Sequence, residues 1–134
     1  AQAINYTNKT QFLFRIQKGI LDINDTGVND YIKPENQRVP FRNMIYIGDS
    51  DTDIPCMSLV NANGGHSIGV YDPFKKDKEK VYKMMRHHRI RYYAPADYTN
   101  GSKLDTLVKQ IIRKTAAYEV LEGEYIHCKY EAEE

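Results

Sequence analysis

The sequence has little cysteine and no long apolar run, and each absence narrows the class of protein. Two cysteines, Cys56 and Cys128, do not make a disulfide framework or a cysteine-rich metal cluster. No apolar stretch approaches the roughly 18 residues of a membrane span, and no basic-then-apolar leader is seen. We therefore expect a reduced, cytoplasmic protein with no membrane partner.

A strong excess of positive charge is also missing. Lys and Arg total 19 against 18 Asp and Glu, which gives a formal net charge of +1. Proteins built mainly to bind nucleic acid carry a clustered cationic excess, so we expect no nucleic-acid partner. The stretch 75–91 is rich in basic residues. We interpret it as the exposed face of a helix that covers the sheet, rather than as a patch that binds nucleic acid.

Short apolar runs alternate with amphipathic segments, which predicts an α/β fold with a parallel sheet flanked by helices. The length of the chain, 134 residues, fits a single domain over 1–134. The tail from about residue 119 has no predicted secondary structure. The predicted strands are 43–48, 67–71 and 90–94, each followed by a helix, the last of them 103–118. A further helix is predicted from Asn8 to Gly19. The remaining expectations are a weak strand over 1–7 and an irregular loop over 22–38 that includes a short helix at 28–32.

Carboxylates are concentrated directly after the first predicted strand, in the run Gly48-Asp49-Ser50-Asp51-Thr52-Asp53-Ile54-Pro55. Ligands of open α/β sheets bind outside the carboxyl ends of the strands, so Asp49 and Asp53 are expected at that edge. Carboxylate oxygens on a tight turn suit Mg²⁺. The alternative is structural: Asp53 caps the next helix and Asp49 forms a turn.

The run YIGDSDTDIPCM resembles the fourth signature of the haloacid dehalogenase-like (HAD) superfamily, a hydrophobic strand followed by Gly-Asp-x-x-x-Asp. The longer stretch FRNMIYIGDSDTDIPCMSLV resembles the phosphatase-like hydrolases of that superfamily. The resemblance implies a three-layer Rossmann-like core in which Asp49 is a direct Mg²⁺ ligand. It also implies that Asp53 binds the metal through water or orients its ligand sphere, while Asp51 occupies a variable position.

A lysine at a helix start, upstream of the acidic run, resembles the third signature of the same superfamily. It is Lys9, in NKTQFLFRIQKG. Such a lysine pairs with the phosphate and with the nucleophilic carboxylate, and it screens charge that would otherwise repel the attack. Lys9 is therefore the candidate catalytic lysine, and Lys18 at the helix end is the fallback.

The signature that carries the nucleophile, Asp-x-Asp-x-Thr/Val on a first strand, has no match ahead of Lys9. Asp22-Ile23-Asn24-Asp25-Thr26 mimics it but has Asn at the acid/base position and lies between the third and fourth signatures. We interpret it as a turn-forming loop. The resemblance covers about residues 3–115 and only the carboxy-terminal part of a HAD core, and with no initiator Met before Ala1 we expect a piece of a longer protein.

The resemblance implies a Mg²⁺-dependent phosphatase that acts on a small phosphorylated metabolite through an aspartyl-phosphate, with the nucleophile outside this chain. The expected partners are that substrate and either a second copy in a homo-oligomer or a retained amino-terminal segment. Alternatives from other classes are a non-catalytic Rossmann-like module that binds a metal or a partner, and a receiver-like signalling domain. In a receiver-like domain an acidic pair should lie upstream of the strand that carries the Asp.

Overall fold

The computed structural model describes residues 6–19, 38–75 and 78–133. The described part has an α/β architecture whose elements follow the order α1-β1-α2-β2-α3-β3-α4. The strand predicted over 1–7 is wrong at Tyr6 and Thr7, which begin helix α1 (Tyr6–Lys18), and its other residues lie outside the described part. The loop predicted over 22–38 and its short helix at 28–32 also lie outside, except for Arg38.

Three parallel strands form the sheet, in the order β1-β2-β3. They are β1 (Ile45–Gly48), β2 (His66–Tyr71) and β3 (Tyr92–Pro95). Gly48 pairs with Gly69 across β1 and β2, and Gly69 pairs with Tyr93 across β2 and β3. The parallel sheet of the sequence-based prediction is confirmed, and all three strands bring their carboxyl ends to one edge.

The first and third strands begin two residues later than predicted. A 3₁₀ turn at Phe41–Asn43 precedes β1, with the Met44 amide donating to the Phe41 carbonyl at 2.9 Å. Ile90 lies before β3, although it is almost completely buried. Met44 and Ile90 are therefore buried apolar residues that lie just before a strand rather than in it.

The helices that follow the first two strands cover the sheet, as predicted. Helix α2 (Ile54–Ala62) packs against β1 and β2, and α3 (Glu79–Arg86) packs against β2. Helix α1 packs against α2. This packing brings the first turn of α1 close to the chain segment that links β1 to α2.

Two groups of buried apolar side chains stabilise this arrangement by removing apolar surface from water. One group joins α1 and α2 to the start of β1, and the other joins α2 and α3 to the segment before β3. The first consists of Leu13, Phe41, Met44, Cys56 and Val60. The second consists of Met57, Val81, Met84 and Ile90.

The chain divides into two compact units, 1–96 and 97–134. The second unit consists of a turn and helix α4 (Lys103–Ala132), whose N-terminus is capped by the Ser102 hydroxyl accepting from the Asp105 amide at 3.1 Å. The helix predicted to end at 118 continues to Ala132, so the tail left unassigned is helical. The prediction of a single domain stays a prediction. Among the described helices, none combines the length and apolar character that crossing a membrane requires.

Candidate functional site

The carboxylate of Asp53 is the centre of a hydrogen-bond network in the segment between β1 and α2. Its Oδ1 accepts from Lys9 Nζ at 2.9 Å and from the Tyr46 hydroxyl at 2.8 Å. Its Oδ2 accepts from the amides of Asp49 and Ser50 at 3.2 and 3.3 Å, and from the Ser50 hydroxyl at 3.1 Å. Five donors therefore fix one side chain that is only 12% exposed.

The structural alternative, in which the Asp53 side chain caps α2, is not what the structure shows. Asp53 stands at the N-cap position of α2, yet its side chain makes no capping hydrogen bond to that helix. A 3₁₀ turn at Asp51–Asp53 lies between Ser50 and α2, so the carboxylate folds back to the Ser50 amide as in the second half of a capping box. Asp53 therefore fixes the loop that carries Asp49.

Gly48 makes this folding back sterically feasible. A Cβ atom at position 48 would lie 2.8 Å from Cβ, Cγ and Oδ2 of Asp53, closer than such atoms approach in proteins. The glycine of the Gly-Asp pair therefore provides the space into which Asp53 packs. Its role here is close approach rather than an unusual backbone angle.

Lys9 reaches the acidic segment from the first turns of α1. Besides Asp53, its ammonium donates to Thr52 Oγ1 at 3.2 Å. The side chain is 24% exposed, so the ion pair with Asp53 is largely shielded from water. Lys18 lies nine residues further along the same helix, about 14 Å away along its axis, and Lys9 rather than Lys18 is the lysine at this site.

Tyr46 belongs to the site, although the sequence analysis did not single it out. Residues 46 and 48 of β1 face the same side of the sheet because strand side chains alternate, and Asp53 packs over Gly48 on that side. Burial, together with the hydrogen bond to Asp53, raises the pKa of Tyr46 far above its ordinary value, so the phenol remains a donor. The sequence signal that could have identified Tyr46 is its position two residues before the glycine that ends β1.

The shifted pKa of Asp53 makes part of the folding free energy dependent on pH. Burial raises this pKa, but the hydrogen bonds from Lys9, Tyr46 and Ser50 outweigh burial and lower it from 3.8 to about 2. A carboxyl group with a depressed folded-state pKa stabilises the fold above the pKa of the unfolded chain, and this contribution is lost as the pH falls through the folded value.

We expect Asp53→Asn to remove a pH-dependent contribution of about 2 kcal/mol, because a shift of one pKa unit corresponds to about 1.4 kcal/mol. The difference in unfolding free energy between wild type and variant should be constant above pH 5 and should shrink between pH 4 and pH 2. Urea unfolding at half-unit pH steps measures it. A difference that stays constant down to pH 2 would contradict the assigned network.

Asp49 is exposed at the carboxyl end of β1, and its amide, rather than its carboxylate, is used in the network around Asp53. It lines a hollow of about 610 Å³ at the carboxyl edge of the sheet, together with residues from the end of β2 and with Ala96, which directly follows β3. Asp49, which the resemblance implies to be a metal ligand, thus borders a space large enough for a ligand.

The two residues predicted to bind Mg²⁺, Asp49 and Asp53, differ in how their carboxylates are engaged. Both oxygens of Asp53 already accept hydrogen bonds, whereas Asp49 borders the hollow. Within 6–19, 38–75 and 78–133, no group of three or more His, Cys, Asp or Glu side chains is gathered as a metal cluster. Mg²⁺ commonly takes one or two carboxylates and completes its shell with water and substrate phosphate, which Asp49 can satisfy.

The structure also shows the surroundings of Asp51, in the acidic run, and of Cys56, in the helix that follows it. Asp51 has an 85% exposed side chain and lies 3.4 Å from Lys80 Nζ in a surface ion pair. Cys56 is completely buried, and burial raises the pKa of its thiol, which fits a packing role rather than a reactive one. Asp22, in the loop that mimics the nucleophile signature, lies outside the described residues.

No family model and no solved structure matches this chain. An uncharacterized protein of Borreliella burgdorferi strain B31 is 27% identical over 101 residues, which are 75% of this chain and 34% of that protein. The chain thus spans about one third of the length of this relative, to which it is similar in sequence.

Proposed function

We propose that this chain is the carboxy-terminal part of the core of a Mg²⁺-dependent HAD-like phosphatase. Its substrate is a small phosphorylated metabolite, and its nucleophilic aspartate lies outside these 134 residues. The observation that carries the proposal is the pairing of Lys9 with Asp53 at 2.9 Å, on the loop that holds Asp49 at the carboxyl edge of the sheet.

Three features support this proposal over a purely structural role. A structural ion pair needs no neighbouring acidic residue at the border of a hollow, yet Asp49, directly after Gly48, lies there. The hollow lies at the sheet edge where ligands of open α/β sheets bind. Lys9, a cation, comes from a separate element, so the fold itself places positive charge beside the acidic loop.

The chain's own residues would then share the work as follows. Asp49 would hold the Mg²⁺, which supplies charge neutralisation for the phosphoryl group when bound. Lys9 has three N–H donors, of which two contact Asp53 and Thr52 within the described part of the chain, and the third would donate to a phosphate oxygen. Asp53 would position Lys9 and, through the amides of Asp49 and Ser50, the loop that bears the metal ligand.

The attacking group is not among these residues in this proposal. A segment outside the chain would supply an aspartate that attacks phosphorus, displaces the alcohol and forms an aspartyl-phosphate, which water then hydrolyses. The resemblance to the HAD signatures is the basis for this assignment.

Hydrolysis of 4-nitrophenyl phosphate by the full-length protein, with and without Mg²⁺, tests the function. We expect turnover that requires Mg²⁺ and is abolished by a chelator. A non-catalytic Rossmann-like module would bind Mg²⁺ or a partner without turnover, so Mg²⁺ binding in the absence of any hydrolysis would favour that alternative.

A further inference from the structure

The hollow beside Asp49 has a wall rich in lysine, and the proposed reaction does not account for it. Among the described residues that line this hollow, Lys75, Lys78 and Lys80 carry positive charge, and Asp49 and Asp72 carry carboxylates. A volume of about 610 Å³ lies in the range of sites for small ligands and far exceeds what one phosphate group needs. The hollow can therefore contact parts of a ligand other than the phosphate.

The turn after β2 holds this wall in a defined position. Asp72 Oδ1 accepts from the Phe74 amide at 2.9 Å, and the Asp72 carbonyl accepts from the Lys75 amide at 3.1 Å. The turn presents the Phe74 side chain, which is 94% exposed, at the border of the hollow. An apolar ring in that position can contact the carbon skeleton of a ligand.

Lys78 is positioned by an aromatic ring. Its Nζ lies 5.2 Å from the centroid of the Tyr71 ring, a cation–π contact at the end of β2. Lys80 differs from it because its ammonium contacts Asp51 on the acidic loop. Lys75 and Lys78 are therefore the cations of this wall that are not engaged with a carboxylate in the contacts that the structure describes.

The wall that holds Lys75 and Lys78 carries positive charge that the described contacts leave unbalanced. The Lys80 ammonium is paired with Asp51, so among the described residues of the wall Lys75 and Lys78 stand against one carboxylate, that of Asp72. Asp49 and a Mg²⁺ ion bound to it would take the scissile phosphate and leave this charge in place. One further anionic group on the ligand would balance the wall.

We propose that the substrate of this site carries a second anionic group, a carboxylate or phosphate, which Lys75 and Lys78 bind while the scissile phosphate lies at Asp49. This inference rests on the proposed phosphatase function. It adds the substrate class, a phosphate ester with a second anionic group on a short carbon chain that contacts Phe74.

Binding of phosphonates, which cannot be hydrolysed, tests the substrate class without relying on turnover. Alkylphosphonates and ω-carboxyalkylphosphonates of two to five carbons are titrated calorimetrically into the full-length protein with Mg²⁺. We expect the carboxylate of the best chain length to tighten Kd at least tenfold. In Lys75→Gln/Lys78→Gln this preference should fall below threefold, and each single variant should lose at least half of it.

The matched control is Lys83→Gln/Lys129→Gln, which removes two positive charges from exposed positions outside this hollow. It should keep the tenfold preference, and thermal unfolding of all variants verifies that they fold. A wild-type preference below threefold, or a preference that survives in the Lys75/Lys78 variants, would overturn the inference. Turnover of the matching alkyl and carboxyalkyl phosphates is measured in parallel, so a binding preference without any hydrolysis would refute the phosphatase function while supporting the anion-binding wall.

Discussion

Asp49→Asn in the full-length protein is expected to lower kcat/KM for 4-nitrophenyl phosphate by about 10²–10³-fold, the usual cost of removing one electrostatic contact from a transition state. The same variant should need a much higher Mg²⁺ concentration for half-maximal activity, because an amide is a neutral and weaker ligand than a carboxylate. Asp49 is exposed, and it is the backbone N–H of Asp49, not the side chain, that bonds to Asp53 and holds the loop. The unfolding free energy should therefore change by less than about 0.5 kcal/mol.

Asp51→Asn provides the matched control for Asp49→Asn. It makes the same chemical change two residues away in the same loop, at a side chain that is 85% exposed and contacts only a surface lysine in the interactions described. We expect activity within about threefold of wild type, as is usual for an exposed ion pair. Equal losses in both variants, or unchanged activity in Asp49→Asn, would contradict the role of Asp49 as a metal ligand.

Lys9→Met is expected to destabilise the fold by about 2–3 kcal/mol and to abolish detectable phosphatase activity. Methionine keeps an unbranched apolar stem one atom shorter than lysine but leaves the largely buried Asp53 carboxylate without its cation, which is the costly way to break such a pair. Chemical denaturation measures the first effect and the aryl phosphate assay measures the second.

A double-mutant cycle separates the ion pair from other effects of the change at Lys9. In the Asp53→Asn background the carboxylate is gone, so Lys9→Met should cost less than about 1 kcal/mol. Lys129→Met, at an exposed position of α4, should cost less than about 0.5 kcal/mol. A loss at Lys9 that is the same in both backgrounds would mean that the pair contributes nothing specific.

Much of the fold could be predicted because local apolar patterns determine it. The strand at Ile45–Gly48 is short and apolar, and the following helix has Pro55 in its first turn, where proline is favourable. The resemblance to two signatures placed Lys9 and the acidic run in one site, but the pairing of Lys9 with Asp53 was not predicted, because no local pattern links residues 44 positions apart.

Other features depend on packing that the sequence does not display locally. Tyr46 looks like an ordinary strand residue, and its bond to Asp53 arises only because Gly48 lets the carboxylate fold back over the strand. Helix α4 extends beyond 118 although its later residues are largely exposed, so an apolar pattern could not mark its end. An i,i+4 contact of 3.6 Å between His127 and Glu131 is typical of such a solvated helix.

Parallel assays of the full-length protein and of the 134-residue chain alone, with 4-nitrophenyl phosphate and Mg²⁺, test the central claim most directly. The claim is that this chain supplies the metal ligand and the phosphate-screening lysine of a phosphatase, and that the nucleophile lies elsewhere. We predict Mg²⁺-dependent turnover by the full-length protein and none above background by the chain alone. Turnover by the chain at a comparable rate would contradict the claim and would make Asp22 the first candidate nucleophile.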